Sequence, residues 1–94
     1  MRLDKAKKRI AKQVKKGFKG YPEITLEYFG ASTSHATEVV VRFVLEEGAA
    51  AQEQKLVSEN DAREDETIQS VLVKIIERAE AVSVMEVAGV STLQ

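Results

Sequence analysis

TEVVVRFVL, residues Thr37 to Leu45, decides the fold. β-Branched and aromatic residues dominate it, and no Gly or Pro interrupts it, so it reads as the strongest strand of the chain. Val39, Val41, Phe43 and Leu45 alternate onto one face, with Glu38 and Arg42 on the other. Val40 and Val44 make that second face partly apolar too, which raises the question of its cover: a helix on each side of the sheet, or a second subunit. On the N-terminal side, ITLEYF (Ile24–Phe29) also alternates, with Ile24, Leu26 and Tyr28 opposed to Thr25, Glu27 and Phe29. The small, polar GASTSHA (Gly30–Ala36) between the two runs is a hairpin connection.

Two helical patterns flank this hairpin. In the opening segment Leu3, Ala6, Ile10 and Val14 recur at three and four residues, with Gly17 as the stop. Downstream, Ile68, Val71, Leu72, Ile75, Ile76 and Ala79 form an apolar helical stripe. Asp61 followed by Glu64 suggests a capping box ahead of that helix. Ala81–Ala88 (AVSVMEVA) reads as a last strand buried on both faces. Between the hairpin and the second helix, residues 54–58 are open between a short edge strand and a loop. The expectation is one α+β domain over residues 1–94, a two-layer sandwich in the order α-β-β-(short β)-α-β. Two helices would cover a mainly antiparallel sheet.

Composition narrows the functions. The 94 residues include no Cys, which removes thiolate metal sites and Cys nucleophiles and fits a cytoplasmic protein. No apolar run approaches the roughly 20 residues of a membrane span. His35 is the single histidine. It neighbours Ser34, but a triad needs a buried acid behind an oriented base, and nothing in the sequence supplies one. Asp61, Glu64, Asp65 and Glu66 lack the glycine turn and alternating ligands of a calcium loop. GFKGYP follows a helix and lacks the Gly-Lys-Ser/Thr ending of a phosphate loop. The expectation is a non-enzymatic protein with no cofactor and no metal.

Charge is the one strong functional signal. Residues 1–20 hold nine bases and one acid, a charge of +8, whereas residues 21–94 carry −9. Like charges at helical spacing repel, so an acidic partner, internal or external, is implied. Lys7, Lys8, Arg9, Lys12, Lys15 and Lys16 are the candidates for contact with an anionic partner, either nucleic acid or an acidic protein. Lys outnumbers Arg among them, which favours point-charge contact over planar base readout. The alternative is a homodimer in which the basic helix and the Val-rich sheet form the interface.

Two resemblances accompany these readings. KAKKRIAKQVKKGFKGYP, EYFG and ATEVVVRFVLEEGA together resemble a small bacterial family of uncharacterised proteins, which brings no activity with it. That family continues into a tail containing Cys and His that has no counterpart here, so no metal role is carried over. The order of helix, three strands and helix, with Ser34-His35-Ala36 between the first two strands, also resembles a double-stranded RNA-binding domain. That resemblance implies duplex contact through His35 and the start of the second helix. Here that helix begins Glu64-Asp65-Glu66-Thr67, acidic where the family carries lysines, and the last strand is additional.

Overall fold

The alternation read in residues 24–29 is the alternation that the core uses. In the computed structural model, which describes residues 1–93, β1 (Glu23–Gly30) buries every second residue, with Ile24, Leu26 and Tyr28 inside. β2 (Glu38–Val44) pairs antiparallel with β1 and turns Val39 and Val41 to the same side. β3 (Gln52–Val57) pairs antiparallel with β2, so the open segment is a strand that starts before residue 54. β4 (Ser83–Thr92) returns to the far side and pairs in parallel with β1, giving the order β3-β2-β1-β4.

Helix α1 (Leu3–Lys15) and helix α2 (Glu66–Arg78) lie side by side on one face of this sheet. Ala6 and Ile10 of α1 join Ile68, Leu72, Val73 and Ile76 of α2, and these meet Ile24, Leu26, Val39, Val41 and Val84 in a single core. The α+β two-layer expectation is met: the molecule measures 33 × 31 × 19 Å, a thin slab.

Several local expectations are corrected. A helix does not cover each side of the sheet: both helices share the face of Ile24 and Leu26. The opposite face is held by charge instead. Arg42 donates to Glu27 at 2.8 Å and to Glu53 at 2.7 Å, Lys55 lies 3.5 Å from Glu38, and Ser91 donates to Glu27 at 2.8 Å. Antiparallel sheets tolerate one solvated face when it carries such polar pairs. Leu45 falls beyond the end of β2 and is exposed.

β4 is an edge strand, so burial on both faces fails. Ser83 and Val84 are buried, and Met85 to Gly89 are exposed. Leu26 pairs with Glu86 but Tyr28 pairs with Val90, so three residues of β4 stand opposite Glu27 alone. This bulge ends at Gly89, whose φ of 74° few other residues adopt without strain.

The cap of α2 also differs. Asp65 is its N-cap, accepting from the Ile68 N–H at 3.1 Å while Ser58 donates to its other oxygen at 2.8 Å. Asp61 caps a separate 3-10 turn, Ala62–Glu64, by accepting from the Arg63 N–H at 3.1 Å. The Glu64 side chain reaches out to Lys7 instead of closing a capping box.

Candidate functional site

Helix α1 is amphipathic in the strict sense that its two sides meet different media. Ala6 and Ile10 are buried, and Leu3 and Val14 are half-buried. The charged side divides again. On either side of the buried stripe one base meets an acid of the same chain: Lys7 Nζ lies 2.6 Å from Glu64 Oε1 of the 3-10 turn, and Arg9 Nη1 lies 3.2 Å from Glu77 Oε1 of α2. Glu66 Oε1 also accepts from the Leu3 N–H at 3.1 Å. Part of the charge asymmetry is thus internal.

The outer flank has no such partners. Lys8, Lys12, Lys15 and Lys16 are exposed, and among the described residues none of them forms an ion pair. Arg2 and Lys5 extend the same row. At 3.6 residues per turn, Arg2, Lys5, Lys8, Lys12, Lys15 and Lys16 fall within a sector of roughly 140°. From Lys5 to Lys16 this ridge runs about 16 Å along the helix. Of the six candidates read from the sequence, four form the free ridge and two, Lys7 and Arg9, are spent on holding α1 to its neighbours.

At the C-terminal end of the ridge the chain makes a feature that helical periodicity does not reveal. Lys16 is the C-cap and Gly17 follows at φ 70°, which turns the chain sharply off the helix axis. Phe18 comes next and remains 52% exposed. Its ring packs edge-to-face against Tyr21, with centroids 5.3 Å apart and planes at 76°. The loop is pinned from below by Ser83, whose Oγ accepts from the Lys19 N–H at 2.7 Å and donates to the Gly20 carbonyl at 2.6 Å. The Val82 N–H adds a bond of 2.8 Å to the Pro22 carbonyl. The signal in the sequence was two aromatics interleaved with Lys15, Lys16 and Lys19. It becomes a surface only because Ser83, 63 or more residues away, fixes the loop.

The remaining polar groups are arranged differently. A cleft of about 500 Å³ between α1 and β4 is lined by Lys7, Tyr28, Arg63, Glu64, Gln69 and Glu86. Gln69 is buried and donates to both the Tyr28 hydroxyl and the Ala62 carbonyl at 2.9 Å. Burial pushes the Tyr28 phenol above its usual value, and partial desolvation at the wall of the cleft raises the carboxyl of Glu86, a residue that is otherwise exposed. The cations here are matched, Lys7 by Glu64 and Arg63 by Asp61. The Arg63 side chain, by its hydrogen bonds, holds the Asp61 carboxyl down to about 2. The cleft therefore has no surplus positive charge.

Ser34 and His35 are exposed in the hairpin connection, with Ser34 Oγ 3.1 Å from His35 Nδ1 and 2.8 Å from Ser32 Oγ. Among the described residues no carboxylate is hydrogen-bonded to His35. No group of three or more metal-ligating side chains gathers among them either. No helix among them is long and apolar enough to cross a membrane. Comparison with family models, curated proteins and solved structures finds no match.

Proposed function

We propose that this protein is a small non-enzymatic binding module whose α1 ridge engages an anionic partner by charge. The observation that carries this is the row Lys8, Lys12, Lys15 and Lys16, exposed and without ion pairs among the described residues, on a helix where only Lys7 and Arg9 are paired. Like charges this close cost a few tenths of a kcal/mol each, a repulsion that an external polyanion relieves. The ridge is also a fixed array. Ala6 and Ile10 anchor α1 in the core, so the ammonium groups stand on a rigid support and not on a frayed arm. Lysines on such a support bind phosphate or carboxylate as point charges, with counterion release and little sequence preference. A cytoplasmic setting, where nucleic acid and acidic proteins abound, suits such a surface.

The test is the quadruple substitution of Lys8, Lys12, Lys15 and Lys16 by Gln. None of the four contributes to the core or to an internal ion pair, so the fold should persist by circular dichroism. Binding to inorganic polyphosphate, measured by anisotropy competition at low and physiological salt, should fall at least ten-fold. The slope of affinity against salt should flatten by about 0.7–0.9 for each phosphate contact removed. Unchanged affinity and slope in the quadruple variant would remove α1 as the contact surface.

A homodimer is the second reading, favoured by Val40, Val44 and Phe29 standing half-buried on the helix-free face of the sheet and by the exposed Val57 at its edge. It predicts a two-chain mass that does not depend on salt.

A further inference from the structure

We infer that the anionic partner is single-stranded nucleic acid, and that Phe18 supported by Tyr21 is the platform on which a base stacks at the end of the α1 ridge. This rests on the proposed role of α1 and adds to it the chemistry of the partner. Charge alone does not separate a nucleic acid from an acidic protein. An exposed ring beside the charges does, because a base offers a flat π-face and a carboxylate side chain does not.

Three features support the assignment. Phe18 is the most exposed aromatic of the chain at 52%, whereas Tyr28 is buried and Tyr21, Phe29 and Phe43 are half-covered. Its place in the sequence, between Lys15-Lys16 and Lys19, puts cationic residues on either side of the stacking group. The loop is preorganised, since the Lys19 N–H and the Gly20 carbonyl both bond Ser83 Oγ and the Tyr21 edge-to-face contact fixes the ring. A rigid ring loses little freedom when a base settles on it.

The other occupants fit less well. In a duplex the bases are already stacked on each other, so Phe18 would gain nothing and only backbone charge would remain. An acidic amphipathic peptide needs an apolar seat. The groove between α1 and α2 has an apolar floor of Ile10, Val73 and Ile76, but these are only 3%, 4% and 6% exposed. That floor leaves almost no apolar area to bury. An anionic membrane surface would favour a helix with its apolar face free, and the apolar face of α1 is already in the core.

The experiment uses the whole chain and four probes: a short oligo-dT strand, a duplex of equal length, polyphosphate of equal charge and polyglutamate. Anisotropy at physiological salt should rank oligo-dT first. Phe18→Leu should weaken oligo-dT roughly ten-fold, the size expected for one stacked base, and leave polyphosphate unchanged. Phe18→Trp should keep oligo-dT affinity. Because the chain has no other Trp, its emission should be quenched on binding. If Phe18→Leu leaves oligo-dT affinity unchanged while the lysine substitutions weaken both oligo-dT and polyphosphate, the stacking platform is wrong and the ridge stands. If neither polyanion binds the native chain, the ridge itself fails. If duplex or polyglutamate binds as tightly as oligo-dT, the assignment to single strands is overturned.

Discussion

At Gly30 a Cβ would overlap the carbonyl oxygen of His35, because the chain doubles back through the Ser32–His35 bridge directly above that position. The obstacle is backbone, which cannot move aside as a side-chain tip would. Gly30→Ala should therefore cost about 1–3 kcal/mol, the range for overpacking, read as a lower urea midpoint at unchanged slope. Gly17 needs glycine for the opposite reason: nothing crowds it, but its φ of 70° is left-handed, so Ala there should cost only about 1 kcal/mol. Asp61 carries the clearest pH signature. Its carboxyl drops from an ordinary 3.8 to about 2 on folding, chiefly through the Arg63 side chain. The folded state thus prefers the charged form, and that stabilisation is complete above about pH 4 and fades as pH falls towards 2. Urea titrations across this interval should show native stability declining, and Asp61→Asn should lose less of its remaining stability over the same interval. An identical acid limb in both would exclude the Asp61–Arg63 clamp as a source of stability.

Among the elements, α2 depends on its cap and α1 on its core contacts. Asp65 satisfies the Ile68 N–H and also receives the Ser58 hydroxyl, so Asp65→Ala removes two hydrogen bonds at the start of α2. The expected loss is about 0.5–2 kcal/mol, and Asp65→Asn should recover part of it. The ion pairs that tie α1 to its neighbours are weaker supports. Lys7–Glu64 and Arg9–Glu77 leave 41–61% of their side chains exposed, and pairs of that kind contribute at most about 1 kcal/mol. Ile10 is what docks the helix. Ile10→Ala should destabilise by about 2–5 kcal/mol, whereas Glu64→Gln with Glu77→Gln should cost little and raise polyanion affinity by freeing Lys7 and Arg9. Failure of that double variant to bind more tightly would separate Lys7 and Arg9 from the contact surface. The β elements show the same economy of cause. β4 bulges at Gly89 where the parallel pairing with β1 slips, and there its apolar residues leave the core.

The whole molecule is a slab with two unlike surfaces. The helix layer presents the basic ridge, and the uncovered sheet face presents Glu23, Glu27, Glu38 and Glu53 against Arg42 and Lys55. Light scattering at physiological salt should return the mass of one chain, since the sheet face is already satisfied by its own cross-strand pairs. A dimer stable to high salt would shift the weight to the sheet-face interface. The slab also explains what sequence reading could recover. Strand alternation at Ile24–Tyr28 and Val39–Val41, the helical stripe of Ile68–Ile76 and the basic row of α1 are local periodicities, each visible within a few residues. The Ser83 anchor under Phe18, the Gln69–Tyr28 bond and the exposure of β4 join positions that only the pairing order brings together.

By itself, then, the sequence determined the α+β class, the two-layer plan and the existence of a surplus of positive charge on α1. Binary patterning and composition carry those properties, and both are written residue by residue. Only the tertiary structure decided which bases are spent on Glu64 and Glu77 and which remain free, because ion pairing depends on which element lies beside which. It alone decided that the second sheet face stays open and that β4 is an edge, because strand order is a contest among long-range pairings and no single segment encodes it. It also decided that Phe18 stands out at the end of the ridge, since a distant serine, and no local signal, holds that loop in place.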